Sequence, residues 1–300
     1  MAVMKLYVVD AFTTRKFSGN QAGVALLGRD EDYPDDGFMQ TLAAELKHSE
    51  TVFVKRLGPE SFRLRYFTPE GEVDLCGHAT IAAFTVLREE GNLAPGTYGA
   101  STLAGELSIE VSRTAVWMDM APPVEGRTFS EEEARELYAA YGLSLDDMPA
   151  DMAPRAVSTG LCDILLPVST REALEAAVQN EAAVTELSRR YQVVGIHMFW
   201  PSLERGETAH CRNFAPLYAI PEEAATGTSN GALTYYLYRQ GKLRPGDESR
   251  FLQGEHMGKP SEILSRLEEG DGSVKIRVGG RAVLTLGPVS YTHLRAHETT

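Results

Sequence analysis

Cys76-Gly77-His78-Ala79-Thr80-Ile81-Ala82-Ala83-Phe84 is matched, 150 positions later, by Thr226-Gly227-Thr228-Ser229-Asn230-Gly231-Ala232-Leu233-Thr234. Identity is modest, but the punctuation agrees: Gly77, Ala82, Leu87, Gly91 and Leu93 meet Gly227, Ala232, Leu237, Gly241 and Leu243. Each copy predicts a helix that is apolar nearly all round and ends in a glycine followed two residues on by leucine. Upstream of each stands a strand ending in F-x-P, Phe67-Thr68-Pro69 and Phe214-Ala215-Pro216, then acidic residues that include Glu70, Glu72, Asp74, Glu222 and Glu223. One supersecondary unit is used twice. A period this long with two copies implies two related domains facing a cleft, because a solenoid needs at least three short repeats. Function is expected between the copies.

The composition suits that reading. The 300 residues accommodate two domains of ordinary size, and 43% hydrophobic with 24% charged residues is a globular balance. No apolar run approaches the roughly 18 residues of a membrane span, and Met1 to Asp10 lacks the regions of a signal peptide, so the expected location is cytoplasmic. Three cysteines, Cys76, Cys162 and Cys211, without C-x-x-C spacing argue against a disulfide framework or zinc knuckle. A net charge of −13 disfavours nucleic acid and anionic membrane as partners.

Working outward from the repeat, residues 4–12 read as a buried strand, Gly19-Asn20 as a turn and Ala22 to Leu27 as its hairpin partner. A helix capped by Asp35 or Asp36 carries Phe38, Leu42 and Leu46 as one stripe. Pro122-Pro123 marks the crossover. In the second half, Ser130 and Glu133 have capping-box spacing, Ala156 to Pro167 reads as strand, and helices are expected at Thr170 to Val178 and Glu181 to Tyr191. The architecture expected is strands wrapped around one apolar helix per domain. Ser290 to Thr300 lacks a hydrophobic period and reads as a disordered or non-native extension.

Both repeat helices open with small residues and donors, Gly77-His78-Ala79-Thr80 and Gly227-Thr228-Ser229-Asn230, where free N–H groups and the dipole invite an anion. Either alone reads as a cap; two at equivalent positions read as a grip on a carboxylate. Glu50, in His48-Ser49-Glu50-Thr51, stands at a helix-to-strand junction. It becomes a proton shuttle only if buried, and a neighbouring His78 would tune it. A racemase with two thiols needs one before each helix glycine, and the pair here is Cys76 and Thr226. That disfavours two-thiol stereoinversion and leaves Cys76 as packing or as a single base. His210-Cys211 is too isolated for a metal site, and P-loop, G-x-G-x-x-G, H-E-x-x-H and nucleophile-elbow motifs are missing. No cofactor and no metal are expected.

Tyr7-Val8-Val9-Asp10-Ala11-Phe12, Gly19-Asn20, His48-Ser49-Glu50-Thr51, Phe67-Thr68-Pro69, Cys76-Gly77-His78-Ala79-Thr80, Glu222-Glu223-Ala224-Ala225-Thr226-Gly227-Thr228, Gln253-Gly254 and Gly258-Lys259-Pro260-Ser261 run in order from residue 5 to about 288. Together they resemble the PhzF-like isomerases of phenazine biosynthesis. The resemblance implies an α+β, diaminopimelate epimerase-like fold: two pseudo-symmetric domains, each a curved, mostly antiparallel sheet around a central helix. The first is expected over 1–120 with a returning strand at 281–288, the second over 121–280, with a tail at 289–300. It further implies that Glu50 is the acid-base group, that His78 contacts substrate, and that Asn20, Gly77, Gly227 and Thr228 bind a small carboxylate, without cofactor. Glu223 falls where the phenazine enzyme has a catalytic aspartate, and Thr228 where it has a serine. A homodimer is implied as well. The competing readings are a dehydratase or epimerase using Cys76, and a non-catalytic binder of small acids.

Overall fold

The computed structural model describes residues 3–202, 206–270 and 272–292. The chain divides into two compact units: one holds Met1–Phe17, Gln21–Met118 and the chain from Arg281 onward, the other Ser18–Asn20 and Asp119–Gly280.

In the first unit β1 (Val3–Ala11) pairs with β2 (Asn20–Leu27). Asn20 begins the strand, and the turn expected at Gly19-Asn20 is instead an eight-residue connection, 12–19. Asp10, fully buried, organises it by accepting hydrogen bonds from Phe17 N at 2.6 Å, Gln21 Nε2 at 3.0 Å and Thr285 Oγ1 at 2.5 Å. Then follow α1 (Asp36–Leu46), β3 (Glu50–Arg56), β4 (Ser61–Phe67), β5 (Glu72–Val73), α2 (Gly77–Glu89), β6 (Gly96–Thr102), β7 (Gly105–Val111) and β8 (Val116–Asp119). Asp35 caps α1 through Phe38 N, and α1 buries Met39, Leu42 and Ala43. Every residue of α2 from His78 to Leu87 is buried. Phe84 meets the Phe62 ring edge-on at 5.3 Å. Removing a side chain of that size from water contributes about 1.5–3 kcal/mol.

The second unit runs β9 (Val124–Thr128), α3 (Glu131–Ala139), β10 (Arg155–Ser158), β11 (Cys162–Pro167), α4 (Arg171–Ala176), α5 (Glu181–Tyr191), β12 (Gly195–Pro201), β13 (Ala209–Ala215), β14 (Ile220–Glu223), α6 (Gly227–Arg239), β15 (Glu248–Gln253), β16 (Ser261–Gly270) and β17 (Ser273–Gly280). The capping box at α3 is made on both sides, Ser130 Oγ accepting from Glu133 N and Glu133 Oε2 from Ser130 N. The single strand expected over Ala156 to Pro167 is two, because Gly160 at φ +137 turns the chain and β10 pairs back on β11. α3, α4 and α5 cover the sheet with a core that includes Leu137, Tyr138, Leu166, Leu187 and Phe214. α6 is buried from Gly227 to Thr234 and packs on β10, β11, β16 and β17.

β18 (Ala282–Thr292) returns to the first unit, pairs antiparallel with β1 and packs on α2. The strand continues to Thr292, past the tail boundary expected at 289, and residues 293–300 lie outside the described residues. No helix among the described residues is long and apolar enough to cross a membrane.

The two units repeat one order of joins. β2–β3 is parallel, β3–β4 antiparallel, β4–β6 parallel and β6–β7 antiparallel; β11–β12, β12–β13, β13–β15 and β15–β16 follow the same sequence. Both central helices end alike. Gly91 at φ +72 and Gly241 at φ +68 follow the last turn, and Asn92 N and Lys242 N each reach back to Leu87 O and Leu237 O at 2.9 Å. Each of these bonds spans five positions (92 to 87, 242 to 237), the Schellman closure, which needs a residue tolerant of the left-handed conformation.

Candidate active site

In the first unit, register places Glu50 and helix entry places His78. Glu50 is the first residue of β3, opposite Ala22 of β2, and His78 is the second residue of α2. His78 Nε2 lies 3.2 Å from Glu50 Oε2, and Ser49 Oγ lies 3.2 Å from the same ring nitrogen. Cys76, the N-cap of α2, places Sγ 3.4 Å from His78 Nδ1. The Glu50 side chain is 14% exposed. Burial pushes its pKa above the ordinary carboxylate value, partly offset by hydrogen bonds from Ser49 and Cys76. Burial raises the pKa because the anion loses water, and the two donors lower it because they favour the anion.

A carboxyl raised in this way holds its proton more readily than a solvated one. Cys76 makes no side-chain capping bond at α2, and the first-turn N–H groups carry the positive end of the helix dipole. Glu50, Cys76 and His78 also bring ligand atoms within 4.8 Å of one another, a donor set that zinc accepts.

The corresponding position in the second unit is empty of chemistry. Thr51 pairs with Phe67 of the first F-x-P, and Ile196 with Phe214 of the second, so Glu50 corresponds to Gly195. A Cβ at Gly195 would stand 2.1 Å from Phe214 O. The second copy therefore cannot carry a base there.

The second unit gathers other residues. Asn20 donates from Nδ2 to Glu223 Oε1 at 2.9 Å and to Ala225 O at 3.0 Å. Thr226 Oγ1 reaches Glu223 Oε2 at 3.5 Å. Thr226 is the N-cap of α6 and makes no capping bond with its side chain, and the first-turn N–H groups of a helix have no intrahelical acceptor. Thr159 Oγ1 fixes the Thr228 carbonyl at 2.9 Å. Beneath this turn lies a fully buried polar layer: Ser229 Oγ donates to Asp163 Oδ2 at 2.5 Å, and Asn213 Nδ2 bridges Ser229 Oγ at 3.1 Å and His197 Nδ1 at 3.2 Å.

Thus Glu50 and His78 come together, as do Asn20, Glu223 and the start of α6. Sequence reasoning missed Ser49, Thr159 and the Asp163 layer, whose residues carry no spacing signal, and it gave no role to Gln253.

A pair of related sheet-and-helix units, one with a buried carboxyl beside a histidine at a helix entry, defines an isomerase- and epimerase-type fold. Residues 9–287 match the phenazine biosynthesis-like (PhzC-PhzF) family, and the chain belongs to that family. It is 37% identical over 286 residues to a Deinococcus radiodurans protein named an uncharacterized isomerase, covering 92% of this chain and 91% of that protein. Over 300 residues it is 30% identical to the human phenazine biosynthesis-like domain-containing protein, covering 96% and 99% of the two chains. The Bacillus anthracis PhzF-family crystal structure superposes with a TM-score of 0.86 at 26% identity, covering 98% of this chain and 100% of that one. A hydroxyproline epimerase from Agrobacterium vitis shares the fold at TM-score 0.62 and 14% identity, covering 96% and 91% of the two chains.

Proposed function

We propose that the protein is a cofactor-independent isomerase that moves a proton within a small unsaturated or cyclic carboxylic acid, with Glu50 as general acid and base. The single observation that carries this reading is a buried carboxyl of raised pKa within 3.2 Å of an imidazole. Ionised Glu50 takes a proton from a carbon next to the unsaturated system. The electron pair delocalises, and protonated Glu50 returns the proton at another carbon. No electron is gained or lost.

His78 holds the substrate beside Glu50. Gly77, Gly227 and Thr228 offer N–H groups to its carboxylate, and Glu223 with Asn20 receives its polar substituents. A homodimer in the cytoplasm is the expected setting, and sedimentation checks the assembly. The test is NMR in D2O with trans-2,3-dihydro-3-hydroxyanthranilate and a panel of cyclic unsaturated acids. Deuterium incorporation or isomerisation by wild type, lost in Glu50→Gln, supports the reading; exchange that survives the substitution overturns it.

One observation favours a second reading. Cys76 Sγ, 3.4 Å from His78 Nδ1, has a base beside it and can itself serve as a single thiolate base in a dehydratase or epimerase. Activity lost in Cys76→Ser but kept in Glu50→Gln would select it.

A further inference from the structure

We infer that Gln253 is the positioning residue of the second unit's site, holding Glu223 and the entry of α6 in the geometry that receives a ligand. Gln253 is fully buried at the end of β15, and its amide is spent entirely on the segment 223–230. Oε1 accepts from Thr226 N at 3.2 Å and from Asn230 Nδ2 at 2.9 Å. Nε2 donates to Glu223 O at 2.8 Å and to Thr226 Oγ1 at 3.0 Å. An uncharged amide suits this task, since two donors and an acceptor with two lone pairs are all used.

The next residue enforces close approach. Gly254 has φ +77, and a Cβ there would stand 2.6 Å from Ala224 O and 2.4 Å from Lys259 O. The loop then closes on itself through Lys259 N to Gly254 O at 3.0 Å, and its far end, Pro260 O, accepts from Gly19 N at 3.3 Å. Gly19 precedes Asn20, the partner of Glu223. One loop therefore grips both members of the Asn20–Glu223 pair, Glu223 through Gln253 and Asn20 through Pro260.

The first unit solves the same problem locally. Thr80, the counterpart of Asn230, donates to Cys76 O at 2.7 Å and meets Tyr66 Oη at 2.7 Å. By accepting the N-cap's own N–H, Gln253 fixes the turn while the next N–H groups stay available. Two of its bonds thus set the direction in which those donors point.

The ligand named in this inference rests on the proposed isomerase reading; the positioning role does not, and the experiment separates them. Gln253→Met removes all four bonds at similar volume, and Gln253→Glu keeps the acceptor but loses both donors. In Gln253→Met, with Trp200 fluorescence showing a folded unit, we expect Thr226 amide exchange about tenfold faster, the effect of one lost net hydrogen bond, and a displaced Asn20 side-chain amide resonance. Should Gln253→Met not fold, Thr226→Val reads the same resonance after loss of the Thr226 Oγ1 contacts with Gln253 and Glu223. With trans-2,3-dihydro-3-hydroxyanthranilate, KM should rise about tenfold while kcat changes less than twofold, and Gln253→Glu should recover part of the loss. Unchanged Thr226 exchange and an unmoved Asn20 resonance in a folded variant would overturn the role of Gln253. Wild type that ignores the probe while the exchange result holds would instead count against the isomerase reading.

Discussion

Asp163→Asn should stabilise the second unit at alkaline pH and lose that advantage in acid. Asp163 is fully buried, and burial raises its pKa from 3.8 to about 6 against the opposing hydrogen bonds from Ser229 and Gly195 N–H. A carboxyl whose folded pKa is raised is protonated more readily in the folded state. Its contribution is therefore greatest below pH 3.8 and declines as pH rises through 6. The shift of about two units corresponds to about 3 kcal/mol of penalty once the group is ionised. Asparagine abolishes the penalty but presents one acceptor to two donors, at a cost of about 1 kcal/mol. The net expectation is a gain of about 2 kcal/mol at pH 8 and a loss of about 1 kcal/mol near pH 4.

The chain contains two tryptophans, Trp117 and Trp200, and the latter is on β12 and packs against the second unit's apolar core. In a Trp117→Phe background, urea unfolding followed through Trp200 reads the second unit directly. With m of about 1–3 kcal/mol per M, the midpoint should rise by about 1 M at pH 8. An Asp163→Asn midpoint below wild type by the same amount at both pH values would refute the reasoning, because the carboxyl would then act through its hydrogen bonds alone.

His210 is held by Glu255 Oε2 at 2.5 Å and Glu207 Oε2 at 3.1 Å and stacked on Trp200, with Arg171 and Arg250 pairing the same carboxylates; Glu255, its strongest partner, raises its pKa, while His210 lowers that of Glu255. The histidine's contribution is full below about 6.5 and fades as pH rises through its raised value; that of Glu255 is full above about 4.5 and fades in acid. Protection of residues 254–260 from hydrogen exchange, relative to the intrinsic rate at each pH, should therefore be greatest between those values, and His210→Gln should flatten the profile. Gly195→Ala drives a methyl into Phe214 O at 2.1 Å and should lower stability by more than about 2 kcal/mol, read by the same Trp200 melts. Phe84→Ala opens a cavity against Phe62 and Tyr98 and should cost about 3–5 kcal/mol in the first unit, checked through Trp117.

What the sequence made legible were features whose physics is local. Gly91 and Gly241 announce helix ends because left-handed closure nearly demands glycine, and Ser130 with Glu133 announces a helix start because the box is four residues long. The helix at Glu181–Tyr191 has the bounds its periodicity predicts. Glu50 and His78 were singled out together and lie 3.2 Å apart, whereas Asn20 and Glu223 were singled out without their mutual contact. Asn20 and Glu223 are 203 residues apart, and their contact depends on where β2 begins, which the Gly19-Asn20 turn reading misplaced. The correspondence of Glu50 with Gly195 appears only in strand register, since the linear offset there is 145 and not 150. Asp163 reads as an ordinary strand-end acid until Ser229 and Asn213 close over it.

The pairing of β1 with β18 sets a timetable for biosynthesis. The second unit, apart from Ser18–Asn20, is continuous from Asp119 to Gly280 and has all its strands once residue 280 has emerged. The first unit waits for its last strand, at 282–292, to reach residues 3–11. At about 5–20 residues per second, β1 passes tens of seconds on the ribosome without that neighbour. Lesions in β18 should therefore impair the unit whose other strands are made first.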